Sequence, residues 1–314
     1  MLTQTAYATE QDVALPRALR DYGGQVRLRL SGPASAPLIV ALGGISADRF
    51  VSDRDDGAPG WWPGLVGAGS AIDPARYRIL GLDFAADPTG RRAPSTDEQA
   101  DVLAAALDAV GAAQADAIVG ASYGGMVALA LAVRLPERVR KLVLISAPAA
   151  PHPASSAVRE IQRRTVALGL AGGMGEEALS IARGLAMLTY RTPKEFAERF
   201  DGGSAEADTL ATSDAGHYLR ARGDAYRRVM TPERFLSLSA SIDRHAVDPG
   251  QVSHPALVIG ALTDQLVPAE QLRALAEALP DARLHLLDSL YGHDMFLKEA
   301  PRIGAMIQPF LDQA

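Results

Sequence analysis

Short apolar runs alternate with stretches of helical spacing along most of the chain. "APLIVALGG" (36–44) is an apolar run closed by glycines, and it predicts a buried strand entering a loop. "RYRILGLDF" (76–84), "ADAIVGAS" (115–122) and "RKLVLISA" (140–147) read the same way. Between them, Val102, Leu103, Ala106, Leu107 and Val110 recur at helical spacing, with Asp97 as the expected cap. "YGGMVALALAVRL" predicts a second helix, stopped near Pro136. Towards the end, "HPALVIGAL" and "ARLHLLDSL" predict two strands with a helix between them. A last helix, "APRIGAMIQPFLDQA", follows, and Pro309 is expected to disturb its final turns.

Strands alternating with helices predict an α/β fold, a mostly parallel doubly wound sheet with helices on both faces. Residues 151–248 break the rhythm. "SSAVREIQRRTVALGLA", "GEEALSIARGLAMLTY", "PKEFAERF", "AGHYLRARGDAYRRV" and "PERFLSLSASIDRH" all read as helices. The expected organisation is therefore a core of residues 1–150 and 249–314 with an all-helical lid inserted at 151–248.

Composition narrows the function classes. The 314 residues are 48% apolar and 22% charged, ordinary for a protein with a substantial core. A net charge of −6 points away from nucleic-acid partners and anionic membranes. The chain has no cysteine, which excludes disulfides and a thiolate nucleophile. The N-terminus lacks the basic-then-apolar pattern of a secretory signal, and no run reaches the length of a membrane span. A soluble cytoplasmic protein is expected. Its six histidines are scattered without metal-ligand spacing, so neither a metal nor a bound cofactor is expected.

The candidate chemistry lies in Gly120-Ala-Ser-Tyr-Gly124, a Gly-x-Ser-x-Gly between a predicted strand and a predicted helix. This is the context of a nucleophile elbow, in which glycines allow a turn too tight for a Cβ and the serine hydroxyl stands above the sheet. Ser122 is the expected nucleophile; a helix cap is the alternative. A serine nucleophile needs a base, and the base an orienting acid. His293, in "DSLYGHDMF", is the histidine placed in a loop between the last strand and the last helix. Asp264 follows the strand "ALVIGAL" and is preferred as the acid over Asp294, which adjoins the histidine. Oxyanion donors are expected from the amide of Tyr123 and from the loop after "LIVALGG", at Leu42 or Gly43.

Four segments carry a more specific resemblance: "GWWPGLVGAGSAIDPARYRILGLD" (60–83), "SYGGMVALALA", "LTYRTPKEFAERF" (188–200) and "DSLYGHDMFLKE" (288–299). Together they resemble the homoserine O-acyltransferase family of the α/β-hydrolase superfamily. The resemblance implies that Ser122, Asp264 and His293 form the triad and that Leu42 supplies an oxyanion amide. It implies that Arg191 and Asp294 bind the carboxylate and ammonium of an amino-acid acceptor. The implied reaction is ping-pong transfer of an acetyl or succinyl group from acyl-CoA to L-homoserine, in methionine biosynthesis, with acetyl preferred. Serine as acceptor, and an esterase or thioesterase using the same triad, are the alternatives. Acyl-CoA is a cosubstrate, with Arg49, Arg54 and Arg92 as candidate phosphate contacts and Arg49 as a candidate partner for a succinyl carboxylate. Gly60–Gly69 is expected to line a tunnel, and a homodimer through lid helices is implied. Tyr123 stands where the family usually has methionine, and it marks the place where acyl-donor choice is expected to be altered.

Overall fold

The computed structural model describes residues 8–54, 56–201 and 213–313. Its centre is an eight-stranded sheet in the order β1-β2-β4-β3-β5-β6-β7-β8. The strands are β1 (Thr9–Ala14), β2 (Gln25–Ser31), β3 (Leu38–Leu42), β4 (Arg78–Leu82), β5 (Ala117–Ala121), β6 (Leu142–Ile145), β7 (Ala256–Ala261) and β8 (Ala282–Leu287). β1 and β2 run antiparallel to each other, β2 runs antiparallel to β4, and the remaining pairs are parallel. β1 and β2 were not among the predicted strands. β1 is an edge strand with five of its six residues exposed, so it carries no apolar run.

β3, β5, β6 and β7 are buried along their whole length, as a parallel sheet covered on both faces requires. The two-residue repeat of the strand sorts their side chains between two cores. Leu38, Val40 and Leu42 enter one cluster; Ile39 and Ala41 enter the other. The first cluster packs beneath α1 (Thr96–Ala109), α2 (Tyr123–Arg134) and α8 (Ala269–Ala278). The second packs against Trp62, Ile72 and α10 (Ala300–Leu311), which follows the short helix α9 (Met295–Lys298). The cap of α1 is Ser95 rather than Asp97. Its hydroxyl accepts from the Glu98 amide at 3.1 Å, and the Glu98 carboxylate accepts from the Ser95 amide at 2.6 Å. α10 continues through Pro309 and ends two residues later, so the missing N–H costs only the last turn.

Between β6 and β7 the described residues form α3 (Pro153–Ala171), α4 (Gly175–Tyr190), α5 (Pro193–Arg199), α6 (Asp214–Tyr226) and α7 (Pro232–Asp243). α3 packs along α4 and α7, and α4 packs on α6. Polar contacts fasten this helical layer to the sheet side. The Asp87 amide donates to the Ser237 hydroxyl at 2.9 Å and the Ser155 hydroxyl to the Leu266 carbonyl at 2.8 Å, while Arg159 and Arg163 of α3 bond Asp243 of α7 within the layer. Among the described residues no helix is long and apolar enough to cross a membrane.

His245, just after α7, is buried between Thr96 and the Pro148 carbonyl. Its Nε2–H donates to Pro148 at 3.1 Å, and its Nδ1 accepts from the Thr96 hydroxyl at 2.8 Å. Burial outweighs the Pro148 bond and pushes the imidazole from 6.5 down to about 4. The unfolded chain therefore binds more protons between these values, so stability is full above 6.5 and falls as pH drops towards about 4. Thermal melts across that range are expected to show a steeper acid loss in the wild type than in His245→Gln. Parallel curves would remove His245 from the pH dependence.

Candidate active site

β5 delivers Ser122 into a tight turn that leads directly into α2. Ser122 adopts φ 53° and ψ −120°, a conformation that costs a non-glycine residue roughly 1–3 kcal/mol. Neighbouring backbone leaves little alternative. A Cβ on Gly120 would lie 2.6 Å from the Gly124 backbone, and one on Gly124 would lie 2.5 Å from the Leu42 carbonyl. Both glycines of the motif are thus required by close approach. The Ser122 amide donates to Ile145 at 2.8 Å, and α2 begins at the next residue.

The predicted base and acid converge on this serine from the far end of the chain. His293 Nε2 lies 2.9 Å from Ser122 Oγ, and His293 Nδ1 lies 2.7 Å from Asp264 Oδ2. The other Asp264 oxygen accepts from the amides of Leu266 and Val267 at 2.9 and 3.0 Å. Asp264 is therefore fixed by its own loop and holds His293 with Nδ1–H towards it and Nε2 free to accept from the serine. Burial disfavours the imidazolium, but the charge and hydrogen bond of Asp264, with the charge of Asp294, raise the His293 pKa above its ordinary value.

The amides expected as oxyanion donors belong to Tyr123 and Leu42. Tyr123 is the first residue of α2, so its N–H has no carbonyl partner one turn back. Leu42 ends β3, and its loop is tied to the elbow where the Gly124 amide donates to Gly43 at 2.8 Å. The Tyr123 side chain, in contrast, points away from the site. It packs edge-on against Phe84 with centroids 4.8 Å apart, and its hydroxyl donates to Ser241 on α7, which in turn donates to the Pro94 carbonyl. It lines neither cavity at the serine, so its expected bearing on the acyl group has no structural basis. Its size serves the junction between elbow and helical layer.

Two cavities open on Ser122 and His293. The larger, about 160 Å³, is walled by Gly44–Ala47, Trp61, Arg183, Tyr190 and Asp294. The smaller, about 50 Å³, runs between Met126, His152, Gln162 and Val267. Of the Gly60–Gly69 stretch, Trp61 faces the larger cavity, whereas Trp62 is fully buried and donates to the Phe296 carbonyl at 2.9 Å. Asp294 sits on the cavity wall as expected. Burial raises its pKa, against the opposing positive charges of Arg191 and Arg183.

Arg191 is placed differently from the expectation. It is 5% exposed, ion-paired with Glu195 and 3.3 Å from Asp294 Oδ2, and it lines neither cavity. Its Nε and Asp294 are close as charges without the alignment of a hydrogen bond. Arg191 thus braces Asp294 from behind. Arg49 is spent on Glu10 and Asp83, Arg54 on Asp48 and Arg92 on Asp21; none of the three reaches either cavity. Arg183 and Tyr190 were missed. Their seven-residue spacing on α4 puts them on one face of the helix, two turns apart, a signal the sequence does carry.

Residues 38–300 match the model of the alpha/beta hydrolase fold family. The chain is 40% identical to a homoserine O-succinyltransferase of Xanthomonas campestris pv. campestris, over 98% of this chain and 88% of that one. It is 33% identical to a homoserine O-acetyltransferase of Thermus thermophilus, over 81% of this chain and 73% of the relative. The crystal structure of a homoserine O-acetyltransferase from Bacillus anthracis superposes with a TM-score of 0.85 at 15% identity, covering 99% of each chain.

A neutral His293 is required for proton abstraction, so turnover of a chromogenic ester is expected to fall as pH drops through the raised His293 pKa. Asp294→Asn removes one of the charges that raise it, and the acid limb of kcat/KM is expected to move to lower pH. An unmoved limb would show that Asp294 does not act on His293.

Proposed function

The chain belongs to the homoserine O-acyltransferase family of the α/β-hydrolase superfamily, and from that premise we propose that it transfers an acyl group from acyl-CoA to the hydroxyl of L-homoserine through an acyl-serine at Ser122. Ser122 Oγ attacks the thioester carbonyl while His293 Nε2 takes its proton. The amides of Tyr123 and Leu42 hold the tetrahedral oxyanion, an interaction whose loss typically costs ~10²–10³ in rate. The C–S bond breaks, and His293 returns the proton to the departing thiolate. The homoserine hydroxyl then loses its proton to His293 and attacks the acyl carbonyl, and collapse releases the ester and restores the Ser122 hydroxyl.

Asp294 carries this reading. A buried carboxylate on the wall of the nucleophile's cavity suits an ammonium-bearing acceptor, whereas ester hydrolysis has no use for it. Residues of α3, α4 and α7 wall the two cavities at Ser122, which supports a site that limits water, as transfer demands. The donor we propose is succinyl-CoA, supported by the relative matched at 40% identity over nearly the whole chain; the acetyl preference implied by the resemblance is supported by the relative at 33%. A reaction that draws on acyl-CoA supports a cytoplasmic location and a place in methionine biosynthesis.

We also propose a homodimer through the helical layer. Ile161 and Leu168 on α3, and Ile181 and Leu188 on α4, are exposed at seven-residue spacing, and the two helices pack together. An apolar surface of this kind marks an interface. Leu168→Asp is expected to shift the protein to monomer in sedimentation with its melting temperature little changed; an unaltered species would exclude this face.

The reaction is tested by CoA release from succinyl-CoA and acetyl-CoA with homoserine, serine or no acceptor. Release that requires homoserine, runs faster with succinyl-CoA and is lost in Ser122→Ala is expected. Release at the same rate without acceptor would replace transfer by hydrolysis.

A further inference from the structure

Arg183 reaches from α4 into the cavity that holds Ser122 and His293, on the same wall system as Asp294. Its guanidinium lies against two tyrosine rings, 5.1 Å from the Tyr190 centroid and 4.7 Å from the Tyr226 centroid. Among the described residues it has neither an ion-pair partner nor a hydrogen-bond acceptor. Neighbouring arginines differ. Arg159, on the smaller cavity, gives two nitrogens to Asp243, and Arg191 is held by Glu195 and Asp294.

A guanidinium that lines a cavity without an acid beside it keeps its donors available to whatever enters. Aromatic faces steady the charge but do not satisfy the in-plane N–H donors. The planar fork of those donors matches a carboxylate, which accepts two parallel hydrogen bonds. Asp294, across the same cavity, feels the positive charge of Arg183 without pairing with it. The cavity therefore presents one cation and one anion beside the nucleophile.

We propose that Arg183 receives a substrate carboxylate while the reacting carbon is held at Ser122. The inference rests on the acyl-transfer reading above and names a residue that selects its substrates. Two carboxylates of that reaction have the required chemistry: the distal one of a succinyl donor, and the α-carboxylate of the acceptor, whose ammonium would face Asp294. Both meet the same guanidinium, and they are separable by substrate.

The test compares wild type, Arg183→Gln and Arg183→Lys with two pairs of probes. Donors are succinyl-CoA and acetyl-CoA at saturating homoserine. Acceptors are homoserine and 3-aminopropan-1-ol, which keeps the hydroxyl and ammonium but lacks the carboxylate. If Arg183 holds the acyl carboxylate, Arg183→Gln lowers the succinyl-to-acetyl ratio of kcat/KM roughly ten- to hundredfold and leaves the acceptor ratio unchanged. If it holds the acceptor, the homoserine-to-aminopropanol ratio falls by that factor and the donor ratio holds. Arg183→Lys keeps the charge without the fork, and partial recovery of the affected ratio is expected. Unchanged ratios in both pairs, with all rates falling together, would overturn the proposal and leave Arg183 a packing residue for Tyr190 and Tyr226. Wild-type protein that transfers no acyl group from either donor would instead overturn the acyl-transfer reading itself, a result the variants do not produce.

Discussion

Ser122 occupies a backbone conformation that only the surrounding structure can maintain, and the site is built outwards from it. The turn brings β5, the start of α2 and the end of β3 within van der Waals reach. Gly120 and Gly124 make that approach sterically feasible, and the bond from Gly124 to Gly43 locks the loop after β3 against the elbow. The strain is offset by two fully buried strands and a helix whose first ten residues are buried. It also sets the hydroxyl at the C-terminal edge of the parallel sheet, where loops after β7 and β8 deliver Asp264 and His293.

Charge around this elbow is arranged in two shells with different tasks. Away from the larger cavity, arginines are neutralised: Arg159 and Arg163 by Asp243, Arg191 and Arg199 by Glu195. The Asp243 pairs tie α3 to α7, and Arg191 also stands 3.3 Å from Asp294. Facing the cavity, Arg183 and Asp294 remain open to whatever binds. The hydroxyl of Tyr123 and the ring of His245 connect α7 to the segment before α1, so the helical layer and the elbow share supports.

The triad was legible because each member is announced locally, by a glycine-framed turn, a strand end and a loop before a terminal helix. The parallel sheet was legible for the same reason, since strands buried on both faces are uninterrupted apolar runs. β1 was not, because an antiparallel edge exposes most of its residues; β2 was not, because Arg27 and Arg29 alternate with Val26, Leu28 and Leu30 and break the apolar run. The roles of the arginines were not legible either. Whether Arg183, Arg191 or Arg49 meets a substrate depends on which acids stand beside each one in space. Glu10 reaches Arg49 from β1 and Asp83 from the end of β4, and Asp294 reaches Arg191 from the segment after β8. Tyr123 makes the same point: its position in the motif identifies its amide, while its side-chain direction is set by Phe84 and Ser241.

In the proposed reaction Ser122 carries the acyl group between donor and acceptor. Intact-mass spectrometry of the protein mixed with succinyl-CoA, quenched in acid before and after addition of homoserine, detects that intermediate. A mass increase of one succinyl group is expected, mapped by peptide sequencing to Ser122 and discharged when homoserine is added. Absence of any adduct while succinylated homoserine still forms would show direct transfer between the two substrates and contradict it.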